Sequence, residues 1–190
     1  IYEYTNVDGS LGNVVFSVDS TILQNTLELE AINLFADLYK DSIDFTVNSF
    51  QYSKLLNQLN IEGVFYLHNR MPEIQIQNSG ITLMGDKWTI DPDNFIRAGR
   101  DTFVAHNIQF THGEKEIRIQ SEGASSLETV LRGFDLDLIN VFWAFEPIDF
   151  SGRVNGRLFV ADVFNPVSFE ATLSSDSLQL NDIHYGTFDL

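Results

Sequence analysis

The chain of 190 residues has no cysteine, four prolines, two tryptophans, and 11 lysines and arginines against 27 aspartates and glutamates. Without cysteine there are no disulfides and no thiolate metal sites, which fits bacterial envelope proteins that do without disulfides. The formal net charge of −16 repels nucleic acid and anionic membrane surfaces, so no nucleic-acid partner is expected. Long apolar runs are also lacking: none approaches the ~18–20 residues that span a bilayer as a helix. There is neither an initiator methionine nor a signal-peptide pattern. The ends, IYEYTN and YGTFDL, are strand-like, so the chain is expected to be a piece of a longer protein whose anchor lies elsewhere.

Catalytic patterns are missing too. The four histidines, His68, His106, His112 and His184, form no HxxH or HExxH spacing. DPDNF, Asp91 to Phe95, begins like a calcium loop but lacks the glycine at position six and has Thr102 where a bidentate glutamate belongs. It reads instead as a turn after the strand KWTI. Asp135, Asp137 and Asp149 have no spacing that singles them out as an acid–base pair, and no GxSxG occurs. The expectation is a protein that is not an enzyme and has no cofactor and no metal.

What is present is a period of two. Val14, Phe16 and Val18 share one parity, as do Leu27 and Leu29, and Ile43, Phe45 and Val47. The pattern recurs at Ile74 and Ile76, Ile81 and Leu83, Ile108 and Phe110, Ile117 and Ile119, and Leu178 and Leu180. Such alternation predicts strands that are apolar on one face and wet on the other. The intervening VDGSLGN, QNSG, HGEK, EGASS and SSDS are turn signals at short spacing, which predicts hairpins in a meander. Helical pattern is sparse. SKLLNQL (Ser53 to Leu59, Ser53 as N-cap) and DLINVFWAF (Asp137 to Phe145, ended by Pro147) predict one or two short helices, and LFADLYK suits either state.

An internal repeat is visible, with units roughly at 43–120 and 127–190. Each has an apolar stretch, a glycine-bearing strand (IEG at Ile61 to Gly63, FSG at Phe150 to Gly152), an asparagine–proline connector and a hairpin. The five-residue spacing from Ile76 to Ile81 recurs from Leu173 to Leu178. Repeats of this kind stack to bury a face that one unit cannot bury alone. In FSGRVNGRLFV, Val154, Leu158 and Val160 share a parity with Gly152 and Gly156, while Arg153, Asn155 and Arg157 take the other. A phosphate loop needs a helix N-terminus after it, and none is predicted here. The glycines therefore read as a bend, a bulge or close packing.

Periodicity leaves one question open. The apolar positions fill a core if the sheet closes or pairs with a second sheet, and line a greasy trough if it stays open. A trough suits acyl chains: at about 0.8 kcal/mol per CH₂, a chain of ~14 carbons gains about 10 kcal/mol before ordering costs. A carbohydrate-binding or adhesive sandwich and a ligand-free structural spacer are the alternatives.

The order of elements in GITLMGDKWTIDPDNFIRAGRDTFVAHNIQFTHGEKEIRIQSEG, followed by DLINVF, FSGRVNGRLFV, a proline connector and SLQLNDIHYGTFDL, resembles the Bacteroidetes-type TamB family. That family is related to AsmA-like proteins and is the inner-membrane component of the translocation and assembly module. The resemblance covers most of Asp41 to Leu190, and residues 1–40 fit only generically. It implies an elongated, curved antiparallel sheet open along one side, a β-taco, in the periplasm of a diderm bacterium. It also implies an inner-membrane anchor outside this chain, transport of phospholipid, support of outer-membrane protein assembly, and a β-barrel partner of the TamA type. Carried over by position, the groove-lining candidates are the alternating apolar residues above together with Val154, Leu158, Val160 and Leu173. IEGVFYL is apolar on both parities and stays unassigned.

Overall fold

The computed structural model describes residues 9–23, 27–50, 56–83, 85–138, 149–165, 168–181 and 183–190, with side chains at 20–23, 27–30, 50, 56–57, 78 and 188 left out. These residues form an open antiparallel sheet that does not close into a barrel. Its strands are β1 (Gly12–Leu23), β2 (Leu27–Leu38), β3 (Ser42–Phe50), β4 (Leu56–His68), β5 (Met71–Leu83), β6 (Asp86–Ile90), β7 (Phe95–Ala98) and β8 (Phe103–His106). They continue as β9 (Ile108–His112), β10 (Lys115–Gln120), β11 (Leu127–Asp135), β12 (Phe150–Ser151), β13 (Arg153–Val160), β14 (Phe169–Leu180) and β15 (Ile183–Asp189).

The topology is a meander. The fifteen strands fall into twelve lines, because three lines are each broken once: β6 with β7, β8 with β9, and β12 with β13. Each line pairs only with the lines before and after it in the chain. At about 4.8 Å per gap, the twelve lines measure about 50 Å along the hydrogen-bonding direction.

The breaks have identifiable causes. Between β6 and β7, Asp91 to Asn94 leave the ladder, and the Asn94 side chain takes the missing strand's place. Its Oδ1 accepts from Ile76 N at 3.0 Å and its Nδ2 donates to Ile76 O at 2.6 Å and to Asp91 O. Asn94 is 2% exposed, so these bonds sit in the interior. DPDNF is thus a turn, as the sequence predicts. Between β8 and β9, Asn107 has a φ of 45°, in the left-handed region that asparagine tolerates better than most residues. Between β12 and β13, Gly152 has a φ of 117°, and a Cβ there would collide with the Ser177 carbonyl. Gly156 has no unusual φ, but a Cβ would collide with Thr172 O and stand 2.9 Å from Leu173 Cα. FSGRVNGRLFV is therefore strand packed tightly against β14, with a bend at its first glycine, and not a phosphate loop.

The helix expectation at Ser53 to Leu59 is corrected. Leu56 to Leu59 belong to β4, where Leu59 pairs with Ser49 on one side and Ile81 on the other. Ladder bonds on both flanks override a local pattern that suits a helix. Ser53, Lys54 and Leu55 lie outside the described residues. LFADLYK resolves to strand through Leu38. In DLINVFWAF, Asp137 and Leu138 are helical and the remainder lies outside the described residues.

Candidate functional face

Directly paired residues of an antiparallel ladder point to the same side of the sheet, so register traces one face across every line. Val14, Phe16 and Val18 pair with Ala36, Leu34 and Ile32. Ala36 and Leu34 continue to Phe45 and Val47, and Leu38 to Ile43. Ile43, Phe45 and Val47 lead to Phe65, Gly63 and Ile61. Phe65 and Gly63 lead to Ile74 and Ile76, and Leu59 to Ile81, with Leu83 on the same side two residues further along β5. Ile81 pairs with Trp88 and Ile74 with Ile96. Ile90 meets Phe110, Phe110 meets Ile117 and Ile108 meets Ile119.

The same face continues through Leu131 and Thr129 of β11 to Gly156 and Leu158, with Leu127 opposite Val160 and Phe134 opposite Val154. Gly156 then pairs with Leu173, Leu178 with Gly186, and Leu180 with Ile183. Of the groove candidates, all but Leu27 and Leu29 fall on this one face. Those two lie on β2, but their side chains are outside the described residues. IEGVFYL resolves as well: Ile61, Gly63 and Phe65 join the apolar face, and Val64 and Tyr66 take the other.

Two pairs needed bulges to get there. Ile76 and Ile81 are five apart, so strict alternation would put them on opposite faces. A register shift opposite Ile61 and Gly63 inserts one residue into β5 and returns Ile81 to the face of Ile76. Leu173 and Leu178 have the same spacing, and a shift between Ser175 and Leu178 does the same in β14. Ser79 and Ser175, at these two bulges, are both buried. Ser79 Oγ accepts from Glu62 N at 3.2 Å, which satisfies a donor that the bulge would otherwise strand.

The face is unevenly covered. Around Ile90, Ala105 and Ile108, each no more than 7% exposed, Ile76, Ile96, Phe103, Phe110, Ile119 and Leu127 pack into a dry patch. Toward β1, Val14 and Phe16 are 37% and 54% exposed, and toward β15, Phe169 and Ile183 are 67% and 60% exposed. The described strands supply no second sheet to bury these flanks. Trp88, Ile90, Ile96, Leu131 and the β2 residues Ile32, Leu34 and Leu38 were missed as lining residues. Alternation in KWTI and INLFADL carried the signal for several of them.

The opposite face is held by buried carboxylates, each met by arginine. Glu73, 3% exposed, takes a hydrogen bond from Arg97 Nε at 2.6 Å and another from Tyr66. Burial pushes the Glu73 pKa up, but the bonds from Tyr66 and Arg97 outweigh it and leave it below the ordinary value. The Tyr66 hydroxyl is raised by its bond to Glu73. Glu116 pairs with Arg132 at 2.9 Å, and Glu128 with Arg157. His68, His106, His112 and His184 join no group of metal-binding side chains among the described residues.

No family model matches this chain, and no curated protein or solved structure matches it.

Proposed function

We propose that the chain is a length of periplasmic hydrophobic groove, like those of TamB proteins, that carries phospholipid acyl chains between the two membranes of a diderm envelope. Support for outer-membrane protein assembly, with a β-barrel partner of the TamA type, belongs to the same reading. One observation carries it: aliphatic and aromatic side chains share one face of an open sheet from β1 to β15, and the flanks of that face are half exposed. Acyl chains suit such a face because they need no hydrogen bonds from it, and its backbone groups are already spent in the ladders. Among the described residues the single sheet also has no second layer of the kind that the carbohydrate-binding sandwich requires.

The test is lipid extraction and mass spectrometry on the chain purified without detergent from a Gram-negative periplasm. Near-stoichiometric phospholipid is expected. The double substitution Phe45→Asp with Leu83→Asp, on two lines of the face, should remove it while far-UV circular dichroism stays that of a β protein. A lipid-free wild type that unfolds cooperatively as a monomer would refute the groove and favour a structural spacer.

A further inference from the structure

Trp88 is the largest fully buried side chain among the described residues, and its indole Nε1–H meets no hydrogen-bond acceptor there. A buried donor left unpaired carries its full desolvation cost, and such groups are rare enough that each needs a cause. Asn94, equally buried, spends its polar atoms on Ile76 and Asp91. Arg118 Nε is also unpaired, but its side chain is 33% exposed and Glu116 Oε1 lies 3.8 Å away. Register puts Trp88 on the apolar face, opposite Ile81, with Ile90 two residues along the same strand and Phe110 opposite Ile90. Two residues the other way, Asp86 ends the apolar stretch. Lys115 Nζ binds Asp86 Oδ2 at 2.7 Å and Asp135 Oδ2, at the end of β11, at 2.6 Å. Trp88 thus stands where the aliphatic surface gives way to a paired ionic rim, and it offers a donor that no described group takes.

The position selects the acceptor. A carboxylate or phosphate would come beside Asp86, and the Lys115 cation is already bound to both Asp86 and Asp135, so a neutral oxygen is favoured. The acceptor must also arrive on an apolar body, because the face that leads to it is Ile81, Ile90 and Phe110. The ester carbonyl at the head of an acyl chain meets both conditions: its methylenes lie on the aliphatic rows and its oxygen reaches their boundary. Nε1 is closed to solvent in this structure, so an ester reaches it as a neighbouring side chain turns. His112 is placed to do so. Its ring centroid is 5.9 Å from that of Trp88 and its side chain is 34% exposed. It is held only by Nδ1, 2.9 Å from Lys87 O, and by Nε2, 3.4 Å from Asp86 Oδ1. Rotamer changes of this kind commonly accompany binding while the backbone stays in place.

We infer that Trp88 Nε1–H donates to the ester carbonyl of an acyl chain lying on the apolar face, so that the face prefers ester-linked lipid to ether-linked lipid of the same length. The inference rests on the groove reading above. Native mass spectrometry of the chain loaded from vesicles of diester or of diether phosphatidylcholine, matched in chain length, isolates the carbonyl oxygen. Wild type should retain the diester lipid about tenfold better. Trp88→Phe, which keeps an aromatic ring but has no N–H, should retain both lipids about equally. A second measurement does not depend on that variant folding. Trp143→Phe leaves Trp88 as the only tryptophan, and ultraviolet resonance Raman spectra report whether its N–H is bonded. The N–H should read as free in lipid-free protein, as bonded with the diester lipid and as free with the diether lipid. Equal retention of the two lipids by wild type, or a preference that survives Trp88→Phe, would overturn the ester seat and leave the groove standing. An N–H already bonded in lipid-free protein would make water its partner and refute the seat as well. Retention of neither lipid by wild type would overturn the groove, and the seat with it.

Discussion

Gly152→Ala is the substitution whose cost the geometry specifies most fully. Two penalties act at that position. Its φ of 117° lies where an L residue is strained, and a Cβ would meet the Ser177 carbonyl, with Ser177 C only 2.9 Å away. Backbone strain of this kind costs on the order of 1–3 kcal/mol. Overpacking against a neighbouring strand adds about 1–3 kcal/mol, since the obstacle is backbone and cannot swing aside. The entropy lost by the unfolded chain returns roughly 0.4–1 kcal/mol. The net expectation is about 3 kcal/mol, or about 6–12 °C in Tm for a chain of this size.

Two other glycines separate the contributions. Gly85→Ala has the strain without the collision, since φ is 88° and nothing lies within 4 Å of its Cβ position, and it should cost about 1 kcal/mol. Gly156→Ala has the collision without the φ and should cost about 2 kcal/mol. Urea unfolding followed by circular dichroism measures all three. A Gly152→Ala protein that melts within about 2 °C of wild type would refute the reasoning. So would a Gly85→Ala cost equal to that of Gly152→Ala, because the collision would then contribute nothing.

Two further predictions concern polar groups. Asn94→Leu should cost about 2–4 kcal/mol in urea unfolding, because it leaves Ile76 N–H and two carbonyls without their partner, and Asn94→Asp should not rescue it, since a carboxylate cannot donate. The Asp86–Lys115–Asp135 network sets the pH response. Lys115 holds the Asp86 pKa down, so that contribution is present above about pH 3.9 and is lost as pH falls through the lowered value. Asp135 and Asp86 hold the Lys115 pKa up, so its contribution is present below about pH 10.4 and is lost as pH rises through the raised value. The Asp86 side chain is 39% exposed, so each contribution should be under about 1 kcal/mol. Lys115→Met should flatten both limbs of a urea-midpoint profile and Asp86→Asn mainly the acid limb. Unchanged limbs would refute the assignment.

The face was legible in the sequence because a period of two survives without knowledge of which strands pair. Val14, Phe45, Ile108 and Leu158 declare their side from near neighbours alone. Even the bulges left a trace, in the odd spacing from Ile76 to Ile81 and from Leu173 to Leu178. The β4 strand at Leu56 to Leu59 was not legible, because its conformation comes from β3 and β5 and not from its own pattern. Neither was Asn94, whose bonds reach 18 residues back to Ile76. The bridge from Lys115 to Asp86 spans 29 residues and depends on register, which parity within a strand does not encode.

The meander has a kinetic side. Every line docks only on its chain neighbours, and apart from the 14 residues between Asp135 and Phe150 the connections are short, so no line waits for a distant partner. Sheet proteins are ordinarily slow folders because non-local pairing demands loop closure before any contact rewards it. Here growth can start at any hairpin and zip in both directions, one line at a time. The same property makes unfolding divisible. Hydrogen exchange should rise in steps from the packed patch around Ile90, Ala105 and Ile108 outward to β1 and β15, so the outer lines of the sheet open while its middle holds.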